Sequence, residues 1–337
     1  MISPAITAPA LVAKGKGILA ADESFLTIEK RFKSINVIST EETRRAYREM
    51  LFTTPGLSEF ISGVILFDET LRQKTREGTP FTKVLTRQGI IPGIKVDKGA
   101  KPLARFPQEK ITEGLDGLRE RLVEYGELGA RFTKWRAVIA IGEDLPSCTC
   151  IEANAHALAQ FAALSQEAGL TPIVEPEVLM DGNHTIERSL EVTTAVLQRV
   201  FIALAEYRVA FDQMLLKSSM VLPGSKFPRK AGPEEVAEFT LRCLRQTVPA
   251  AVTGIVFLSG GQGGIEATQN LNAINSFGAA PWELSFSFGR ALQAPALEAW
   301  KGQETNVIAA QKILLHRARC NNAARYGKYT KEMETGN

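Results

Sequence analysis

Eight short apolar runs, each followed by a stretch with helical spacing, limit what this chain can fold into more than any other feature of its sequence. The runs are Gly17–Ala21, Gly63–Phe67, Pro92–Val96, Trp135–Ile139 with the residues before it, Pro172–Pro176, Met214–Lys217, Gly254–Leu258 and Leu284–Phe288. Strands that are apolar throughout and alternate with helices belong to a parallel sheet covered on both faces. Eight strand–helix units predict an α/β fold, a (β/α)8 TIM barrel. That fold usually takes about 250 residues, so 337 leave room for additional N- and C-terminal helices. No low-complexity linker divides the chain, which reads as a single domain over 1–337 with 320–337 as a flexible C-terminal tail. The rival is an open doubly wound sheet. Its usual signature is missing, because the glycine-rich stretch Ser259–Gly264 follows the seventh run and does not match G-x-G-x-x-G.

The helical stretches carry their own punctuation. Ser39 with Glu42 predicts a capping box, and Pro233-Glu234-Glu235 after Gly232 reads as a first helical turn. The alanine-rich segment Glu152 to Ala168 ends at Gly169 as a helix does.

Composition excludes several classes of function. A formal charge of +3 with no basic block does not fit a nucleic-acid partner, although a small positive excess suits an anionic metabolite. The start Met1-Ile2-Ser3-Pro4-Ala5 does not read as a secretory signal, and no run of eighteen apolar residues occurs, so a soluble, intracellular chain with no membrane partner is expected. The four cysteines are scattered, with Cys148 and Cys150 one residue apart instead of two, and read as structural thiols. The three histidines, His156, His184 and His316, are not spaced from one another as metal ligands, so no metal and no cofactor are expected.

In a barrel the chemistry sits at the C-terminal ends of the strands, and here those ends are charged. The first carries Asp22-Glu23-Ser24, the third Asp97-Lys98, the fourth Lys134 and Arg136, the fifth Glu175 and Glu177, the sixth Lys217, the seventh Ser259-Gly260-Gly261 and the eighth Gly289-Arg290. Lys217 closes an apolar run, where burial disfavours the ammonium and favours the free amine that attacks a carbonyl. Snorkelling at a strand end is the bland explanation for one lysine alone. The company it keeps argues otherwise. Side chains two apart face one way, so Lys134 with Arg136 and Glu175 with Glu177 each aim two charges at one region. An amine nucleophile needs such acids to lose water from its carbinolamine and to move a substrate proton, and Lys134 would depress the Lys217 pKa further. Glycines after strands seven and eight offer bare N–H groups to a phosphate, with Arg290 beside them, while Lys30, Arg31 and Lys98 would hold a second phosphate across the mouth.

Taken together the chain resembles class I, Schiff-base fructose-bisphosphate aldolases. The matching stretches run almost end to end: Gly15–Ser24, Gly93–Gly99, Gly114–Leu118, Lys134-Trp135-Arg136, Pro172–Glu177, Phe257–Gln262 and Leu271–Asn275. Ala267–Asn272 and Ala130-Arg131-Phe132 look most like the plastid or cyanobacterial branch. The resemblance implies a metal-independent cleavage of fructose 1,6-bisphosphate to dihydroxyacetone phosphate and glyceraldehyde 3-phosphate. In that reading Lys217 forms the Schiff base, Glu175 is its general acid/base, Glu177 and Lys134 tune the pair, and Asp22 takes the C4 hydroxyl proton. Ser259, Gly260, Gly289 and Arg290 hold the C1 phosphate and Ser24, Thr27 and Lys98 lie near the C6 phosphate. Arg31 and Arg136 are further basic contacts, with Gly261 and Ser287 completing the phosphate-binding set. A homo-oligomer, by family habit a tetramer, is implied, in the cytoplasm or in a plastid stroma. Cleavage of sedoheptulose 1,7-bisphosphate and a non-catalytic scaffold are the alternative functions. The chain departs from the family pattern at Ser218-Ser219 after the lysine, at Phe25-Leu26 before Thr27, at Phe288, and in stopping at Asn337 without a longer tail ending in tyrosine.

Overall fold

Period-two alternation along each strand sorts side chains into two layers, and that sorting builds the molecule. In a computed structural model, which describes residues 3–335, eight parallel strands close into a barrel. They are β1 (Gly17–Ala21), β2 (Ile61–Leu66), β3 (Ile91–Lys95), β6 (Phe132–Ile139), β7 (Thr171–Val178), β8 (Leu215–Ser218), β9 (Gly254–Phe257) and β10 (Glu283–Phe288), with β1 pairing both β2 and β10. All eight predicted runs are strands, shifted at most by a few residues at their ends. Between β3 and β6 lies an antiparallel hairpin, β4 (Ala100–Leu103) with β5 (Phe106–Thr112).

Around the barrel lie α2 (Phe25–Lys33), α3 (Glu41–Phe52), α4 (Asp68–Arg72), α5 (Phe81–Arg87), α6 (Leu118–Glu127), α7 (Cys148–Glu167), α8 (Ile186–Glu206), α9 (Pro233–Thr247), α10 (Gly264–Ser276) and α11 (Arg290–Trp300). Additional helices α1 (Pro4–Leu11) and α12 (Val307–Arg325) stand at the two ends, as predicted. Among the described residues no helix is long and apolar enough to cross a membrane.

Outward-facing strand residues such as Leu19, Val64, Val174, Leu216 and Phe257 pack under the helices in one large apolar layer. Inward-facing residues form a second, smaller cluster: Ile18, Ala20, Ile65, Phe132, Ile173, Leu215 and Val256, closed from below by Leu11 and Val12. This floor is tight. A Cβ on Gly93 would stand 2.3 Å from the Phe132 ring, so only glycine admits that aromatic into the barrel. Two residues further along the same faces the floor gives way to charge: Ala20 leads to Asp22, Phe132 to Lys134, Ile173 to Glu175 and Leu215 to Lys217. The apolar floor therefore sets the depth at which the charged side chains sit.

Two local expectations are corrected, and one element is new. The capping box lies one residue on, between Thr40 and Thr43: the Thr40 hydroxyl accepts from Thr43 N at 3.1 Å and the Thr43 hydroxyl from Thr40 N at 2.8 Å, while Ser39 accepts from Arg44. The hairpin was not predicted because its turn at Arg105 has φ 70° without an Asn or Gly to mark it, and its strands carry Pro102 and Pro107 and mix charged with apolar residues. The predicted tail from 320 begins inside α12, where Cys320 and Ala324 are fully buried, and Tyr329 beyond it is buried too. Residues 336 and 337 of that predicted tail lie outside the described residues.

Arg325 explains why α12 docks where it does. Its guanidinium, nearly enclosed, donates to the carbonyls of Val12, Ala13, Lys16 and Leu284 and to Glu283 Oε2, tying the chain end to the closed bottom of the barrel. Replacing it by methionine would leave these buried carbonyls without their donor. Arg325→Met is expected to lower stability by about 2–4 kcal/mol, read as a lower urea midpoint, and an unchanged midpoint would refute this role.

Candidate active site

Lys217, Glu175, Lys134 and Asp22 come from four different strand ends and meet in one chain of contacts. Lys217 Nζ lies 3.1 Å from Glu175 Oε1, Lys134 Nζ lies 3.1 Å from Glu175 Oε2, and Lys134 Nζ donates to Asp22 Oδ2 at 2.6 Å. Their side chains are nearly enclosed, at 4, 3, 4 and 11% exposure, so each charge is held by its neighbours and hardly by water. Unit charges about 3 Å apart attract by roughly 5 kcal/mol at an effective dielectric constant of about 20. That offsets a desolvation penalty of several kcal/mol per ion only when every charge has a partner.

Burial alone would raise both carboxyl pKa values, but the ammonium groups of Lys134 and Lys217 outweigh it. They hold Asp22 and Glu175 below the usual carboxylate range. Burial likewise opposes the Lys134 ammonium, and Asp22 with Glu175 reverses it and pushes that pKa up. Glu175 Oε2 is buried without a well-aligned hydrogen bond among the described residues, which leaves a lone pair open to a proton.

Above this set stand two more pairs. Arg136 Nε donates to Glu177 Oε2, and Lys95 Nζ lies 2.6 Å from Asp97 Oδ1, whose other oxygen accepts from Arg136 N at 3.3 Å. Glu177 thus engages Arg136 and makes no ion pair with Lys217. Inside the mouth four cations (Lys95, Lys134, Arg136, Lys217) balance four anions (Asp22, Asp97, Glu175, Glu177). Lys95 was not singled out from the sequence. The signal was there, since it lies two residues beyond Gly93 and pairs in register with Lys134.

The rim supplies the unbalanced positive charge. Lys98 and Arg290 are exposed and make no ion pair among the described residues. Gly260 and Gly261 have φ 53° and 103°, and a Cβ on either would meet Leu258 or Met180 at 2.8 Å, so both must be glycine for the loop to run from β9 to α10. Ser259 sits at the start of that loop, where its carbonyl accepts from Gln262 N at 2.9 Å. Gly289 caps α11, of which Arg290 is the first residue. Ser287, two residues before Gly289, is buried with a hydroxyl that has no partner among the described residues. Across the mouth Ser24 stands at the N-cap position of α2, its hydroxyl 3.1 Å from that of Thr27 and making no capping hydrogen bond. Arg31 does not join Ser24 and Thr27: it pairs with Glu23 and turns its Nη2 towards Gly289.

One cluster outside the mouth has ligand-like spacing. His316, Cys320 and Glu334 bring their ligand atoms within 4.8 Å of one another, with the first two on one face of α12, a pairing that histidine spacing alone did not reveal. Glu334 already accepts from Arg317 Nη1 at 2.5 Å and from the Tyr329 hydroxyl at 2.8 Å. The guanidinium stands where a metal ion would be repelled. Burial pushes the Cys150, Cys243 and Cys320 thiols up to about 11, which suits packed, unreactive side chains.

A buried lysine beside carboxylates, under two glycine-bearing loops, is the equipment for imine chemistry on a phosphorylated carbonyl compound. Comparisons with known proteins agree with that chemistry. A Xanthomonas campestris pv. campestris protein named "Probable fructose-bisphosphate aldolase class 1" is 59% identical over 324 residues, 96% of this chain and 97% of that protein. The Dictyostelium discoideum fructose-bisphosphate aldolase is 56% identical over 98% of this chain and 93% of its own length. An Arabidopsis thaliana cytosolic fructose-bisphosphate aldolase is 54% identical over 96% of this chain and 82% of its own. These relatives are bacterial, amoebal and cytosolic plant proteins, which lends no support to a plastid or cyanobacterial branch. A solved fructose-bisphosphate aldolase from Plasmodium falciparum, 50% identical, superimposes with a TM-score of 0.96 over 97% of this chain and 95% of its own. The family described as fructose-bisphosphate aldolase class-I matches residues 5–337, and to that family this chain belongs.

Proposed function

We propose that Lys217 is the nucleophile through which this chain performs the family's reaction, the reversible cleavage of fructose 1,6-bisphosphate to dihydroxyacetone phosphate and glyceraldehyde 3-phosphate. The observation that carries the assignment is the 3.1 Å contact between Lys217 Nζ and Glu175 Oε1 inside an enclosed, charge-balanced pocket. Glu175 Oε1 first takes a proton from the Lys217 ammonium beside it, the free amine attacks the ketose carbonyl carbon, and Glu175 returns that proton to the carbinolamine hydroxyl, which leaves as water to give the protonated imine. Asp22 takes the proton of the C4 hydroxyl. The electrons of the C3–C4 bond flow into the protonated imine, releasing glyceraldehyde 3-phosphate and leaving an enamine on Lys217. Protonation of the enamine carbon and hydrolysis of the imine then free dihydroxyacetone phosphate and the lysine.

Lys134 binds Asp22 and Glu175 at once and so keeps both ionised, and Glu177 fixes Arg136 at the mouth. Ser259, Gly260, Gly261, Ser287, Gly289 and Arg290 hold the C1 phosphate. Ser24, Thr27 and Lys98 hold the C6 phosphate, while Arg31, turned towards Gly289, is a further basic contact on the C1 side and Arg136 another at the mouth. The unbalanced cations at the rim support this reading, because a bisphosphate brings negative charge to both sides of a neutral interior. A cytoplasmic location is supported by the bacterial and cytosolic plant relatives, and a homo-oligomer, by family resemblance a tetramer, is read by light scattering.

Borohydride added with dihydroxyacetone phosphate is expected to inactivate the protein and to leave the label on Lys217, with none taken up by Lys217→Met. Label on another lysine would sink the assignment. Because every named group is a side chain or backbone amide, cleavage should survive EDTA, and loss of activity restored by a divalent metal would speak for a different reaction route.

The pH dependence has a definite sign. Asp22 and Glu175 have lowered folded-state pKa values, so the stability they contribute is present above their unfolded values, near 4, and is lost as pH falls through the lower folded ones. Lys134, raised in the folded state, contributes below its unfolded value and loses that contribution only at higher pH. Lys134→Met removes the largest cationic influence and leaves burial opposed by Lys217 and Arg136, so the Glu175 pKa should rise. The acid limb of kcat/KM is expected to move up by about one pH unit or more, with kcat down at least about a hundredfold. An unmoved limb would contradict the role given to Lys134.

A further inference from the structure

Strand alternation sends Asp22 into the barrel and the next residue, Glu23, the other way, under α2, α3 and α11. There Glu23 is almost sealed from solvent and fully engaged. Arg48 Nη2, itself 3% exposed, donates to Glu23 Oε2 at 2.5 Å, and Gln293 Nε2 donates to Oε1 at 3.0 Å. Gln293 is fixed in turn, donating to the Ala20 carbonyl at 2.6 Å and accepting from the Tyr47 hydroxyl at 3.1 Å. The remaining partner of Glu23 Oε1 is Arg31 Nη1. Two arginines thus share one carboxylate. Arg48 is enclosed and can reach nothing else charged, whereas the Arg31 side chain is 22% exposed, so the surplus positive charge appears on Arg31. Its other terminal nitrogen lies 3.9 Å from the point a Cβ on Gly289 would occupy, beside the loop that leads into α11.

Resting on the reading of Arg31 as a phosphate contact, we propose that Glu23 is a positioning residue. Gripped by Arg48 and Gln293, it holds one arm of the Arg31 guanidinium so that the other faces the Gly289 loop and the substrate phosphate seated there. Glu23 touches no reacting atom. Its effect passes through Arg31, a planar fork whose two arms cannot be aimed independently. A lone flexible arginine on α2 would have to order its side chain on binding, at a cost in conformational entropy. The buried grip meets that cost during folding instead.

The test is a double-mutant cycle on the full chain. Glu23→Gln keeps the shape and removes the charge. It is expected to raise KM for fructose 1,6-bisphosphate and Ki for inorganic phosphate about tenfold, with kcat within about twofold. Arg31→Met should do the same, and Glu23→Gln added to Arg31→Met should change KM no further. Additive effects, or a fall in kcat at unchanged KM, would show that Glu23 acts elsewhere or only supports the fold. No KM effect from Arg31→Met would overturn both the phosphate role of Arg31 and the inference built on it, while a KM effect from Arg31→Met without one from Glu23→Gln would overturn the inference alone. Should Glu23→Gln fail to fold, Glu23→Asp retracts the carboxylate while keeping its charge and should give the same split of KM from kcat. An Asp variant with unchanged KM would refute the proposal equally.

Discussion

Lys134 is the charge on which the rest of the site depends. A single ammonium group satisfies Asp22 at 2.6 Å and Glu175 at 3.1 Å, and Glu175 passes the connection on to Lys217. Without that cation two buried carboxylates would face one lysine, and one of them would hold its proton at neutral pH. With it, the Lys134 ammonium keeps both carboxylates ionised and is itself kept ionised by them. This order follows from the barrel itself. Each member stands two residues above an apolar floor residue on the same strand face, so the packing of Ala20, Phe132, Ile173 and Leu215 fixes the height of the charges.

The floor and the charged layer also divide the tasks of the molecule. Below, Gly93 admits the Phe132 ring and Arg325 ties the chain end to the closed bottom, where conformational freedom would serve no purpose. Above, the loops after β9 and β10 and the start of α2 offer amides, hydroxyls and unbalanced cations to an anion. A neutral interior between positive rims favours a substrate that carries its charge at both ends and its reactive carbonyl within. Glu23 extends the same logic outward, using charge buried behind the strand to aim a group in front of it.

Much of this was legible in the sequence because period-two alternation and strand length are local properties. All eight barrel strands and the meeting of Asp22, Lys134, Glu175 and Lys217 followed from where apolar runs end in charge. What was not legible depends on contacts far apart in the chain. Glu177 was expected beside Lys217, yet it turns to Arg136, a neighbour across the β6–β7 ladder. Arg31 was expected with Ser24 and Thr27, yet Glu23 draws it towards Gly289, and nothing near Arg31 in sequence announces Arg48 or Gln293. The end of the chain misled for a related reason: Cys320 and Ala324 sit in a largely polar stretch whose burial arises only when α12 packs against α10 and α11.

The central claim is that Lys134 holds Glu175 ionised in a sealed pocket. The most direct measurement is a carbon-13 NMR titration of the Glu175 carboxyl in the unliganded protein and in Lys134→Met. The carboxylate is expected to stay ionised to below the ordinary glutamate range in the first and to show a midpoint displaced upward in the second. A Glu175 midpoint at or above the ordinary value in the unsubstituted protein, or one that does not move when Lys134 is removed, would contradict it.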